Sequence, residues 1–105
     1  MKIILFIDTT SSEVIKVGLN KDGKEFAIEK KVDRQKAQIV LSLIDRLLKK
    51  HSLTLKDIEA IRISPGPGSF TGIRVGFTIA NTLAFLLKIS VNGKPAGDFV
   101  EPLYI

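Results

Sequence analysis

The first apolar block, Ile3 to Ile7, runs without a polar interruption and stops at Asp8. An unbroken run of this length suits a central strand covered on both faces better than a half-wet edge strand. Beyond it the pattern alternates. Ile15, Val17 and Leu19 share one face of a second strand over 13–19, and NKDG at 20–23 supplies the turn chemistry of a hairpin. Residues 24–31 set Phe26 and Ile28 against Glu25, Ala27 and Glu29 and close on two lysines, the composition of a guarded edge strand. From Asp33, the expected N-cap, the period lengthens to that of a helix over 34–50. Val40, Leu43, Ile44, Leu47 and Leu48 lie on one side of it, with Gln38, Ser42, Asp45, Arg46 and Lys49 opposite. SLTLKD breaks this helix. Ile58, Ala60, Ile61 and Ile63 then predict a fourth strand, 70–88 a second helix, and Ile89 to Val91 a short fifth strand.

The order is therefore β β β α β α β. Three antiparallel strands followed by two right-handed crossovers place strands four and five parallel to the first, and the simplest sheet order is 3-2-1-4-5. That is an α/β fold of the ribonuclease H-like class, the half-unit of actin-like ATPases: a mixed five-stranded sheet with two helices. It occupies residues 1–92, and 93–105 form a C-terminal tail.

The second helix is introduced by SPGPGSFTGIRVG at 64–76, a loop of Pro65, Gly66, Pro67, Gly68, Ser69 and Thr71. Its spacing is neither the dinucleotide fingerprint nor a P-loop, since no G-K-[ST] follows. Ser69 or Thr71 is expected to cap the helix; the alternative is a small phosphate- or nucleotide-binding module built on Asp8, Thr10, Ser69 and Arg74. Gly72, Gly76, Ala80 and Ala84 recur every four residues, a ridge of small side chains along which another backbone can come close. Ile73, Val75, Phe77, Ile79, Leu83, Phe85, Leu86 and Leu87 make the helix apolar nearly all round. Such a helix needs cover on more than one side, so a partner protein or a second copy is expected, with an interface of about 800 Å² per partner.

With no cysteine and a single histidine, disulfides and thiolate or histidine metal clusters are excluded. Asp8 ends the first strand, but Asp57 precedes strand four and Asp98 lies in the tail, so the converging acids of a two-metal nuclease are missing. No metal is expected. The N-terminal apolar run lacks a small-residue cleavage site, and Ile73 to Leu87 is too short for about 30 Å of hydrocarbon, so the expectation is a cytoplasmic protein without a membrane segment. The net charge is +5, and Lys30, Lys31, Arg34 and Lys36 form a local cluster, read either as a solvated strand edge and helix start or as an auxiliary RNA contact.

ILFIDTTSS at 4–12 and, above all, SPGPGSFTGIRVGFTIANTLAF at 64–85 resemble the bacterial TsaB family, also called YeaZ. The resemblance implies a non-catalytic subunit in making N6-threonylcarbamoyladenosine in tRNA. In that system TsaD transfers the threonylcarbamoyl group and the ATPase TsaE resets the complex. TsaB-like chains keep the actin-like fold without a working ATP site, so ATP or ADP would enter only through partner subunits. Asp8, Thr9 and Thr10 would then be a vestigial phosphate turn that steadies the first hairpin. The two helices would pack on TsaD or, in isolation, on a second copy, and tRNA would be met indirectly. Carried over by position, that surface comprises Gly72, Arg74, Gly76, Phe77, Ala80 and Ala84 with Val40 and Ile44, and the loop would set the helix at the angle a partner requires. Residues 93–105 stand where relatives carry a second domain. A protease reading, drawn from an older attribution to such relatives, finds no cysteine and no serine partner for His51.

Overall fold

The computed structural model describes residues 2–32, 34–68 and 70–94. In chain order they form β1 (Ile3–Asp8), β2 (Val14–Lys21), β3 (Lys24–Lys31), α1 (Lys36–Lys50), β4 (Ala60–Ile63), α2 (Phe70–Leu87) and β5 (Ser90–Val91). The sheet order is β3-β2-β1-β4-β5. β1, β2 and β3 form the antiparallel meander, β4 runs parallel to β1, and β5 parallel to β4. The order and directions are those expected from the alternation of elements.

Register explains the core. Leu5 stands opposite Leu19 and beside Ile61, and Ile7 opposite Val17 and beside Ile63, so one face of the sheet is a continuous aliphatic surface. Both helices pack on it and on each other, adding Val40, Leu43 and Leu47 from α1 and Ile73, Phe77 and Ala80 from α2.

Cover of β1 on both faces is not what the chain adopts. Ile3, Leu5 and Ile7 are fully buried, whereas Ile4 and Phe6, pointing the other way, remain partly exposed. Both crossovers lay their helix on the same side, and no described element lies across the opposite one. There Ile4 and Phe6 shelter beside Gly18, Ala27 and Arg62 in a hollow of about 480 Å³.

The helix boundaries shift for local reasons. Val32 still donates its N–H to Glu13 O at 2.8 Å, so the β3 ladder outruns the strand and α1 starts late, with Gln35 rather than Asp33 at its N-cap position. Asp33 itself is outside the described residues. α1 ends with Lys49 and Lys50 in its last turn, the sign that complements the helix dipole. SLTLKD folds as a 3-10 turn, Leu55–Asp57, boxed by Thr54, whose N–H donates to Asp57 Oδ2 at 2.7 Å; Ile58 caps it and β4 begins only at Ala60. α2 stops where Lys88 takes a φ of +57° and Ile89 N–H reaches back to Ala84 O at 3.0 Å, which removes Ile89 from β5. β2 and β3 meet over two residues, Asp22 and Gly23, with φ of +52° and +90°. This is a primed turn whose twist matches its strands.

Candidate functional site

β1 and β4 finish, and both helices start, at one end of the sheet, where α/β folds gather their working groups. Asp8 closes β1 there. Its Oδ1 accepts from the Thr10 N–H at 2.9 Å and from the Thr10 hydroxyl at 2.6 Å, an aspartate turn that uses the carboxylate within the chain. The glycine-rich loop comes down on this turn. A Cβ built on Gly68 would sit 2.8 Å from Thr10 Cβ and overlap the Thr10 carbonyl oxygen. Gly76, nearly two turns into α2, lies over Thr9: a Cβ there would overlap Thr9 Oγ1 and lie 3.0 Å from Ile63 Cδ1. Thr9 is buried beneath it.

Of the four residues weighed for a phosphate site, Asp8, Thr10 and Arg74 are described. Asp8 and Thr10 bond to one another and Gly68 closes on Thr10, while Arg74 lies on the exposed side of α2 beside Ala37, Val75 and Thr78. Ser69 is outside the described residues. Thr71 lies inside α2, not at its cap position. Among the described residues no cluster of three or more potential metal ligands occurs.

The partner surface also moves. Gly72, Gly76, Phe77, Ala80, Ala84, Val40 and Ile44 are all buried in this chain, and of the eight residues only Arg74 is exposed. The small-residue ridge does permit a close approach, but at Gly76 what comes close is the chain's own side chains, Thr9 just after β1 and Ile63 at the end of β4. The outward side of α2 carries Thr71, Arg74, Thr78, Thr82, Phe85 and Leu86. Phe85 and Leu86 are 60% and 67% exposed, and Leu41 on α1 is 50% exposed; with Leu55 of the 3-10 turn, at 42%, they are the exposed large apolar side chains among the described residues. A sequence signal for them existed: the polar stripe Arg74, Thr78, Thr82 marks the wet side, and continuing it one turn reaches Phe85 and Leu86.

Two adjoining hollows, about 750 and 370 Å³, run between the starts of α1 and α2 and share Ala37, Thr71 and Val75. Arg34 and Lys36 line the first, Arg74 the second.

Residues 28–93 match the family model described as "TsaD: tRNA N6-adenosine threonylcarbamoyltransferase". The chain belongs to this family. Among its relatives, the tRNA threonylcarbamoyladenosine biosynthesis protein TsaB of Buchnera aphidicola subsp. Schizaphis graminum is 35% identical over 91 residues, 87% of this chain and 43% of that protein. YeaZ from Pseudomonas aeruginosa superimposes with a TM-score of 0.80 at 28% identity, over 100% of this chain and 44% of that one. The resemblance to TsaB read from the two motifs is borne out. The ribonuclease H-like fold is shared with RuvC of T. thermophilus, at a TM-score of 0.54, 15% identity and 62% of that chain. The chain spans less than half the length of the TsaB and YeaZ relatives it matches.

Proposed function

We propose that the chain serves tRNA threonylcarbamoyladenosine biosynthesis as a non-catalytic partner of a TsaD-type transferase, which it engages through the outward side of α1 and α2. The supporting observation is the exposed apolar set Leu41, Phe85 and Leu86 on a member of this family whose one strand-end acid, Asp8, is occupied with Thr10. A second copy would cover the same set when the transferase is absent. ATP or ADP enters only through partner subunits, among them an ATPase of the TsaE kind, and the working place is the cytoplasm, where tRNA is modified. No described helix is long and apolar enough to cross a membrane.

The test is co-purification with the transferase of the same genome. Leu86→Asp is expected to weaken association at least about tenfold, the scale of losing one buried Leu side chain from an interface and desolvating a charge. The far-ultraviolet spectrum should be unchanged, because the side chain is outside the core. Association of the unaltered chain that Leu86→Asp leaves intact would contradict this surface.

A further inference from the structure

β4 ends at Ile63, and the glycine-rich loop follows from Ser64. The backbone of β5 does not accompany β4 that far: its pairing stops at Val91 opposite Ile61. Asn92 N–H still donates to Ile61 O at 2.9 Å, and there the chain turns, with φ of +49° at Asn92 and +80° at Gly93. Val91 and Lys94 exchange backbone hydrogen bonds of 3.1 and 2.9 Å across this turn. A backbone that leaves at Asn92 has no further peptide group to offer Ile63. The Asn92 side chain supplies one. Its Oδ1 accepts from Ile63 N–H at 2.8 Å and its Nδ2 donates to Ile63 O at 3.0 Å, so a single carboxamide stands in for the next strand residue.

What Ile63 holds gives these two bonds their reach. Pro65 and Pro67 bring no N–H to the loop. Its base is tied toward β1 by Ser64 N–H to Ile7 O at 3.0 Å, and toward β5 by Asn92. Ile63 is also a seat for α2, since its Cδ1 lies 3.0 Å from the place a Cβ on Gly76 would take. Asn92 itself is exposed and stands 29 residues from Ile63, outside the loop it ties down.

We propose that Asn92 is a positioning residue: by holding both backbone groups of Ile63 it fixes the base of the glycine-rich loop and the seat of α2, and so the pose in which α2 presents its outward side. What that side meets rests on the function proposed above; the tie from Asn92 to Ile63 and α2 does not.

The experiment compares the unaltered chain with Asn92→Gly, which keeps the left-handed turn and removes the carboxamide. In amide hydrogen exchange followed by NMR, the Ile63 amide should exchange at least about fivefold faster in the variant, the lower end of what losing two hydrogen bonds gives. The amides of Leu19 and Phe26, which face each other in the β2–β3 pairing, should change less than about twofold. The Ile63 δ1-methyl resonance, which reports the seat of α2, should shift. Association with the transferase should weaken at least about threefold, the scale of a change that acts through an intervening element. Ile3→Val, a core change at the other end of β1, should alter association less than about twofold even where its urea midpoint falls as far. Unchanged exchange at Ile63, or a rise shared equally by Leu19 and Phe26, would overturn the proposal. A loosened Ile63 with an unmoved methyl resonance or unaltered association would overturn it too. Failure of the unaltered chain to bind the transferase would sink the function proposed above, while exchange and the methyl signal would still decide the role of Asn92.

Discussion

Gly76 carries two opposed expectations that measurement can separate. Helix propensity alone says that alanine at this position of α2 should stabilise by about 1 kcal/mol. The added methyl, however, would overlap Thr9 Oγ1 and press on Ile63 Cδ1, and both neighbours are buried. Overpacking of that kind costs about 1–3 kcal/mol, so the clash outweighs the propensity. Gly76→Ala is therefore expected to lower the urea midpoint, and Gly76→Leu to prevent stable folding, which removes it as a probe of partner binding. An alanine variant with a raised midpoint would show that α2 can lift off the β1 turn. The four-residue spacing of Gly72, Gly76, Ala80 and Ala84 made a close approach legible. The groups that Gly76 meets, Thr9 and Ile63 of the same chain, were not, because spacing records that something comes near and not what it is.

At the scale of elements, the period of each segment fixed its type, and the antiparallel meander, both helices and the parallel crossovers all followed from the chain's alternation. β1 shows where this reading stops. Five consecutive apolar residues describe a strand buried on both sides and a strand with one buried and one half-sheltered face equally well, since Ile4 and Phe6 are apolar in either case. The two faces differ in energy. Leu5→Ala empties a fully buried site and is expected to cost about 2–5 kcal/mol. Phe6→Ala, on the open face, should cost less than Leu5→Ala despite the larger side chain removed. Chemical denaturation of the pair measures the difference, and equal losses would mean that the open face is covered in solution. Helix starts were the least legible feature, because the late beginning of α1 depends on a ladder bond from Val32 to Glu13 that joins residues nineteen apart.

The described residues form a one-sided layer: a sheet with two helices on one face, the surface proposed for partner contact lying on the outer side of those helices. Its outer surface is divided, with charge where the helices begin and apolar groups toward the end of α2. Connectivity divides the assembly in time as well. Asp22 and Gly23 already hold the left-handed angles that join β2 to β3, and the Lys2 N–H donates to the Asp22 carboxylate at 2.7 Å, so the meander closes through neighbours in the chain. β4 and β5 can join only after a helix has been laid down before each. Hairpins form in about 1–10 μs, whereas parallel pairing waits on the closure of longer loops. Gly23→Val, which opposes the positive φ without touching another group, should slow refolding more than it speeds unfolding in stopped-flow measurements. On a ribosome the consequence is a schedule: the first thirty or so residues can settle into a ribbon while the two helices proposed to meet a partner are still being made, so those helices emerge onto a template already in place.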